Sequence, residues 1–486
     1  MKRGLRRTLA AAGGVLALSL APAAQAAPEV LDPNLAVRTA VSGLNQPTSI
    51  AFLAANDVLV LEKATGKVQR VVDGAVQATV LDLAVNSGSE RGLLGIALHP
   101  NFPTVPDVYL YWTQSSTGAD TDVLSETPLL GNRVDRFRWD GSTLTFDQNL
   151  ILIRALQQDA GQPERGNHDG GVLRFGPDGK LYVIVGDLGR RGQMQNLENG
   201  PFGPGIPDDQ FGGPEPDDAH LSGVILRLND NGSTPTDNPF FAVGAAMGGE
   251  VGANVQKIFS YGIRNSFGMA FDPVSGRLWD QQNGDDSFTE LNRVDPGMNG
   301  GWVQIMGPIE RITQFKTIET TVTPDPPDPF ASTYFGLQQV RWPPTLIADS
   351  PAQALSRLFS LPGSHYSDPE FSWKFEVAPA GIGFHTGRAL GPQYENDLFV
   401  GAARTFLENG HLFHFNLTGN RQKVAVDDPR LEDRVADNLT FHDITESESL
   451  LFGTGFGIST DIETGPNGNL FVVSLTNGAV YEIFRR

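Results

Sequence analysis

The chain has 486 residues, 36 Lys and Arg against 56 Asp and Glu, a formal net charge of −20, and no cysteine. A surface this acidic repels nucleic acid and anionic lipid, and without thiols there is no disulfide, no cysteine nucleophile and no thiolate metal site. The length suits one large β architecture or two ordinary domains.

Residues 1–26, MKRGLRRTLAAAGGVLALSLAPAAQA, combine a basic start, a moderate apolar run and a small-residue end. That is the anatomy of a secretory signal peptide, cleaved after Ala26 or Ala27 to leave one domain over 27–486 in the periplasm or outside the cell. Cleavage removes Lys2, Arg3, Arg6 and Arg7 and takes the net charge to −24. The apolar run is too short and too Gly-interrupted for a membrane span, and no later segment reads as one.

From Pro47 onward one unit recurs: a strand of small and apolar residues, a turn rich in Asp, Asn, Gly or Pro, then a β-branched and aromatic strand. It is found at PTSIAFLAANDVLVLEKATGKVQRV, GLLGIALHPNFPTVPDVYLYWTQ, GGVLRFGPDGKLYVIVGD, FGMAFDPVSGRLWDQQNGDDSFTELNRV, GIGFHTGRALGPQYENDLFVGAA and STDIETGPNGNLFVVSLTNGAVYEIF. The strands are expected to alternate buried and exposed residues, with turns that supply left-handed positions. Six copies predict an all-β chain folded as a six-bladed β-propeller with long inter-blade loop insertions. The strand VRTAVSGL near Val37 is expected to complete the last blade and close the ring. Two Pro/Gly-rich insertions, from about Met194 to Leu221 and from about Gln314 to Glu370, are candidate walls of a site over the central channel.

Among the polar residues, His168 draws attention. It sits in GNHDGG, where the backbone is most permissive, at the mouth of the third hairpin. By itself it is either a loop histidine bonded to backbone or a ring aimed at a ligand. No strand–GxGxxG–helix fingerprint and no GxSxG occurs, so neither nicotinamide nor serine-hydrolase chemistry has a foothold.

The succession ERGLLGIALHPNF, GNHDGGVLRFGPDGKLYVIVGD, SGVILRLNDNGSTPTDNPF, YGIRNSFGMAFDP, NGDDSFTELNRV and NGGW resembles the soluble quinoprotein glucose/sorbosone (aldose sugar) dehydrogenases, over roughly residues 40 to 485. The resemblance implies an exported propeller that holds pyrroloquinoline quinone (PQQ) and calcium and oxidises an aldose or related polyol at its hydroxyl, with an external electron acceptor that the sequence does not name. It implies that His168 is the general base, a role that suits imidazole's pKa, with Asn167 and Asp169 as neighbours that orient the ring. It implies that Arg264 and Asn265 face the quinone, the guanidinium stabilising charge as hydride arrives. Gly284 and Asp285 fall on the loop whose two successive carbonyls bind calcium, an oxygen-seeking ion; Asp285 and Asp286 would add carboxylates, and Glu290 and Asn292 would fix the loop. Glu90 matches a pocket-facing polar position, and Arg404 a cation that pairs with a quinone carboxylate.

The chain also departs from the family. Two arginines that clamp cofactor carboxylates in other members are replaced by Ile458 and Thr460, which removes two partners of a tricarboxylate. Arg190, Arg191 or Arg404 are the candidates for compensation, and Trp373 and Phe375 for the aromatic pocket wall. Two other functions fit the same residues. One is a calcium-dependent lactonase using Glu90, Asp285 and Asp286. The other is a non-enzymatic carbohydrate- or protein-binding propeller, favoured by the missing arginines.

Overall fold

The computed structural model describes residues 27–156, 166–189, 221–302, 304–320, 348–403 and 409–486. The signal-like segment 1–26 and Arg190, Arg191 and Arg404 lie outside them. Among the described residues the strands form six sheets, and each recurring sequence unit supplies the first two strands of one sheet. The first sheet runs Pro47–Ala54, Asp57–Glu62, Lys67–Val72 and Ala75–Asp82, and the second Leu93–Leu98, Asp107–Thr113, Asn132–Trp139 and Leu144–Ile153. The third begins Leu173–Phe175, Leu181–Val185, Val224–Leu228 and Ile258–Tyr261; the fourth begins Gly268–Phe271, Leu278–Gln282, Ser287–Val294 and Phe371–Phe375. The fifth begins Pro379–Phe384, Leu398–Ala402, His411–Leu417 and Leu451–Thr454. The sixth takes Ser459–Thr464, Leu470–Ser474 and Ala479–Arg485 from the C-terminal end and Leu35–Ser42 from the N-terminal end.

That last pairing is antiparallel, Leu35 opposite Arg485 through Ser42 opposite Ala479. It closes the ring as the sequence around Val37 predicts. The first strands of successive sheets pack on one another in a closed cycle, the sixth returning to the first. Apolar clusters fill each gap between neighbouring sheets, for example Leu61, Val68, Leu93 and Leu110 between the first and second, and Val60, Val71, Val473 and Val480 between the first and sixth. An all-β propeller is therefore the fold.

One expectation changes. LYVIV (Leu181–Val185), VILRL (Val224–Leu228) and DVYLYWT (Asp107–Thr113) are buried at every position, rather than at every second one. Both faces of a propeller sheet are covered by its neighbours, so its middle strands become continuous apolar runs. In the second insertion the described residues include two short helices, Ile312–Thr320 and Pro351–Arg357. Ile312, Phe315 and Ala354 pack with Phe288 and Trp302 beside the fourth sheet.

Candidate functional site

In each sheet the first two strands are antiparallel, so the start of the first strand and the end of the second lie at one end of the ring. Glu90, His168, Arg264 and Asn265 precede first strands; Lys63, Asp187 and Asn283 follow second strands. Close approach of these ends needs glycine. At Gly186 an added Cβ would lie 2.4 Å from the His168 carbonyl oxygen, and at Gly170 (φ +68°) 2.4 Å from that of Ile184.

His168 is 8% exposed and has φ +61°. A left-handed backbone at a histidine costs on the order of 1 kcal/mol and persists only where its surroundings impose it. Its N–H donates to Glu90 Oε2 at 2.5 Å. Its Nδ1 meets Asp187 Oδ1 at 2.6 Å, and Asp187 Oδ2 accepts from Trp302 Nε1 at 2.7 Å. Burial pushes the Asp187 carboxyl up, but His168, Arg264 and Trp302 outweigh it and hold the group below its usual value. A carboxylate on Nδ1 fixes the tautomer with the proton there and leaves Nε2 as the basic nitrogen. Nε2 has no protein partner among the described residues.

This corrects the sequence reading of the ring's neighbours. Asp169 does not orient His168: it is fully buried, and its Oδ1 accepts from Asn132 Nδ2 at 3.0 Å. Burial raises its pKa to about 6, against Asn132 and Arg91. Asn167 lies against Gly189. The turn sends adjacent residues in different directions, so the partner comes from the far strand of the hairpin. The quoted motif ends on that residue, Asp187.

Arg264 is buried, and its guanidinium lies 5.5 Å from the centre of the Trp302 ring. Its Nη1 donates to the Asn283 carbonyl at 2.8 Å and its Nη2 to Asp285 Oδ1 at 2.5 Å. Burial lowers its pKa, but Asp285, Asp187 and Glu376 outweigh this and raise it, so the cation is fixed. Asn265 Nδ2 reaches both Glu90 oxygens at 3.3–3.4 Å. Asn265 Oδ1 is buried with no hydrogen-bond partner among the described residues.

The Gly284–Asp285 loop is held from two sides by residues that sequence reasoning missed. Glu319, on the helix Ile312–Thr320, accepts from the backbone N–H of Asp286 and of Ser287, both at 3.1 Å. Glu376 accepts from Thr289 Oγ1 at 2.7 Å and from the backbone N–H groups of Ala378 and Gly284. Burial pushes Glu376 up to about 7, against Thr289 and Arg264. The described residues contain no group of three or more His, Asp or Glu side chains with metal-site geometry.

Glu90 and Asn283 border a cavity of about 370 Å³ that is lined from all six sheets. Ile458 and Thr460 line it, so neither expected clamp position offers a cation. Its charged lining residues are Lys63, Arg174, Glu90 and Asp461. Arg174 crosses the ring from the third sheet to the sixth and pairs with Asp461 at 2.7 Å and Glu463 at 2.9 Å. Trp373 and Phe375 do not line this cavity: Trp373 is buried against Phe371, Phe413 and Phe415, and Phe375 stacks near Phe441. Glu290 accepts from the Gly307 N–H at 2.6 Å and from Asn292 Nδ2 at 3.2 Å, so this pair holds the segment at Gly307 rather than the Gly284–Asp285 loop it was expected to fix.

Glu90, His168, Arg264, Asn265, Gly284 and Asp285 thus form one connected network. A family model described as Glucose / Sorbosone dehydrogenase matches residues 44–331, more than half of the chain. The chain belongs to that family. It is 30% identical over 279 residues to quinoprotein glucose dehydrogenase B of Acinetobacter calcoaceticus, an alignment covering 56% of this chain and 53% of that relative. The chain thus matches about half the length of that relative. It is 24% identical over 434 residues to aldose sugar dehydrogenase YliI of Escherichia coli, covering 89% of this chain and 87% of the relative. These relatives are named as oxidoreductases acting on sugars. The PQQ-bound aldose sugar dehydrogenase of Streptomyces coelicolor has the same fold, with TM-score 0.54, 22% identity, and coverage of 95% of this chain and 100% of that one. Among the described residues no helix is long and apolar enough to cross a membrane.

Proposed function

We propose that this propeller, with one blade to each sheet, is an exported quinoprotein that oxidises an aldose or related polyol, with His168 as proton acceptor. The observation that carries the reading is the His168–Asp187–Trp302 chain beside a fixed Arg264. Asp187 holds the Nδ1 proton and steadies the imidazolium that forms when Nε2 takes the substrate's hydroxyl proton. Arg264 presents positive charge that needs no reorganisation during the reaction. Glu90 fixes the backbone of His168 and the amide of Asn265 together.

The residues fit an anionic aromatic cofactor. Lys63 supplies charge to the cavity, Arg264 is held beside its rim residue Asn283, the buried Asn265 Oδ1 lacks a partner among the described residues, and Val172, Phe267, Ile382 and Ile458 give the cavity apolar wall. Pyrroloquinoline quinone, the group named for the Streptomyces structure, would supply a two-electron acceptor there. Arg264 engages the Asp285 carboxylate, so calcium at this loop would rest on the backbone oxygens of Gly284 and Asp285. Two of the three carboxylates a lactonase would use are committed, Glu90 to His168 and Asn265 and Asp285 to Arg264. The uncharged Ile458 and Thr460 favour a second reading, a binding module. In keeping with it, the chain is 28% identical over 166 residues to mouse Hedgehog-interacting protein.

Titration of the purified protein lacking residues 1–26 with PQQ, with and without calcium, tests this by absorption and melting temperature. Saturable calcium-dependent binding followed by sugar-dependent dye reduction is expected. No binding at high micromolar quinone would transfer the case to the binding module.

A further inference from the structure

The cavity lacks the two expected cations on its sixth-sheet wall, yet it is not without positive charge. Lys63 directly follows the second strand of the first sheet, next to the sixth, and is 9% exposed. The two walls touch: Thr460 Oγ1 donates to the Pro47 carbonyl at 3.2 Å, and Ser49 Oγ to Asp461 Oδ2 at 2.6 Å.

The two cationic lining residues are placed differently. Arg174 is neutralised by Asp461 and Glu463. The Lys63 ammonium donates to two carbonyl oxygens, Ser87 at 2.7 Å and Ser89 at 2.9 Å. An ammonium has three N–H donors, so one is left for a ligand, and no carboxylate lies within ion-pair distance of it among the described residues. The Ser87–Ser89 carbonyls belong to the loop that carries Glu90, which in turn holds His168 and Asn265. Lys63 therefore stands at the junction of the cavity and the His168 network.

Resting on the quinone reading, we propose that Lys63 is the carboxylate-binding cation of this cavity, supplying from the first sheet the charge that Ile458 and Thr460 do not supply from the sixth. Burial draws its pKa down to about 8; Asp169 and Glu90 oppose that shift and Arg91 adds to it. These are the charged groups that face it. A bound carboxylate would favour the protonated form, so binding should weaken as pH rises through that region.

The test uses the full chain lacking residues 1–26, with Lys63→Met and Lys63→Arg variants, and two probes: PQQ and its uncharged trimethyl ester, each titrated by absorption without sugar. One charge-assisted hydrogen bond is worth about 1.5–3 kcal/mol, or roughly 10- to 100-fold in affinity. Lys63→Met is expected to lose about that much affinity for PQQ and little for the ester. Lys63→Arg should retain PQQ binding and flatten its decline above pH 8, because a guanidinium stays charged. Equal PQQ affinity in wild type and Lys63→Met would overturn the assignment while leaving the quinone reading intact. Parallel loss of PQQ and ester would overturn it too, by showing that the lysine only props the loop. Wild type that binds neither probe would overturn the quinone reading, and this assignment with it.

Discussion

Two imidazole–carboxylate pairs in this protein look alike on distance alone: His168 with Asp187 at 2.6 Å and His414 with Asp397 at 2.9 Å. Their surroundings differ. His414 lies within a regular strand, uses Nε2 for its carboxylate, and is packed among the rings of Tyr394, Phe399 and Phe452. His168 sits on a left-handed turn and uses Nδ1, which leaves Nε2 without a protein partner among the described residues, and its backbone is held by Glu90, which lines the cavity. Its carboxylate is shared with Trp302 and stabilised by Arg264. The pair itself does not make a site. The nitrogen left over, and the fixed charges within reach of it, do.

The largest effect that separates the two pairs is expected from their histidines. His168→Ala should lower kcat for sugar-dependent dye reduction by about 10²–10⁴-fold, the usual worth of a general base. His414→Ala should leave kcat within about twofold and cost roughly 1–3 kcal/mol of stability. Steady-state kinetics with melting curves on both variants checks this, and equal kcat losses would erase the distinction. A smaller separation is expected from the carboxylates. Asp187→Asn should lower kcat by about 10- to 100-fold with quinone affinity unchanged, because an amide neither enforces the tautomer nor steadies the imidazolium. Asp397→Asn should not change kcat. An Asp187→Asn variant that loses quinone instead would make Asp187 a support for the pocket.

The smallest effect concerns buried carboxyls that, unlike Asp187, are not held below their usual value by a cation. Burial raises Asp280 to about 7 and Glu290 to about 8. Both then hold protons in the folded state that the unfolded chain, with ordinary pKa values near 4, has already released. Stability from these two groups should therefore fall as pH rises from about 4 through 8. Asp187, with a lowered pKa, acts in the opposite sense: its contribution is present above the ordinary carboxylate value and lost as pH falls through the folded one. Melting temperatures across pH 5–8 should decline in wild type and decline less in Glu290→Gln, while Asp187→Asn should keep the wild-type slope.

The hairpin units were legible because strand period and turn chemistry are local. Each unit stands in one sheet, and the strand at Val37 found its place because such a ring closes when a strand from one terminus joins the sheet built by the other. Glu90, His168, Arg264, Asn265, Gly284 and Asp285 were legible through motifs at the hairpin mouths. Asp187 and Trp302 stood inside those same motifs, as the final residues of VIVGD and NGGW, but nothing local marks an aspartate as the partner of one imidazole. Glu319 and Lys63 carried no signal at all. One lies on an insertion helix with no special spacing and the other just past the end of an ordinary strand.

By itself, then, the sequence determined the repeat, the β class and the chemistry available at one end of each hairpin. Only the tertiary structure decided which of those groups meet. The Glu90–His168 bond joins residues 78 apart and the Asp187–Trp302 bond residues 115 apart. Such partners are brought together by ring closure and by sheet-on-sheet packing, which bury the side chains and leave each polar atom to find whatever the neighbouring sheet offers.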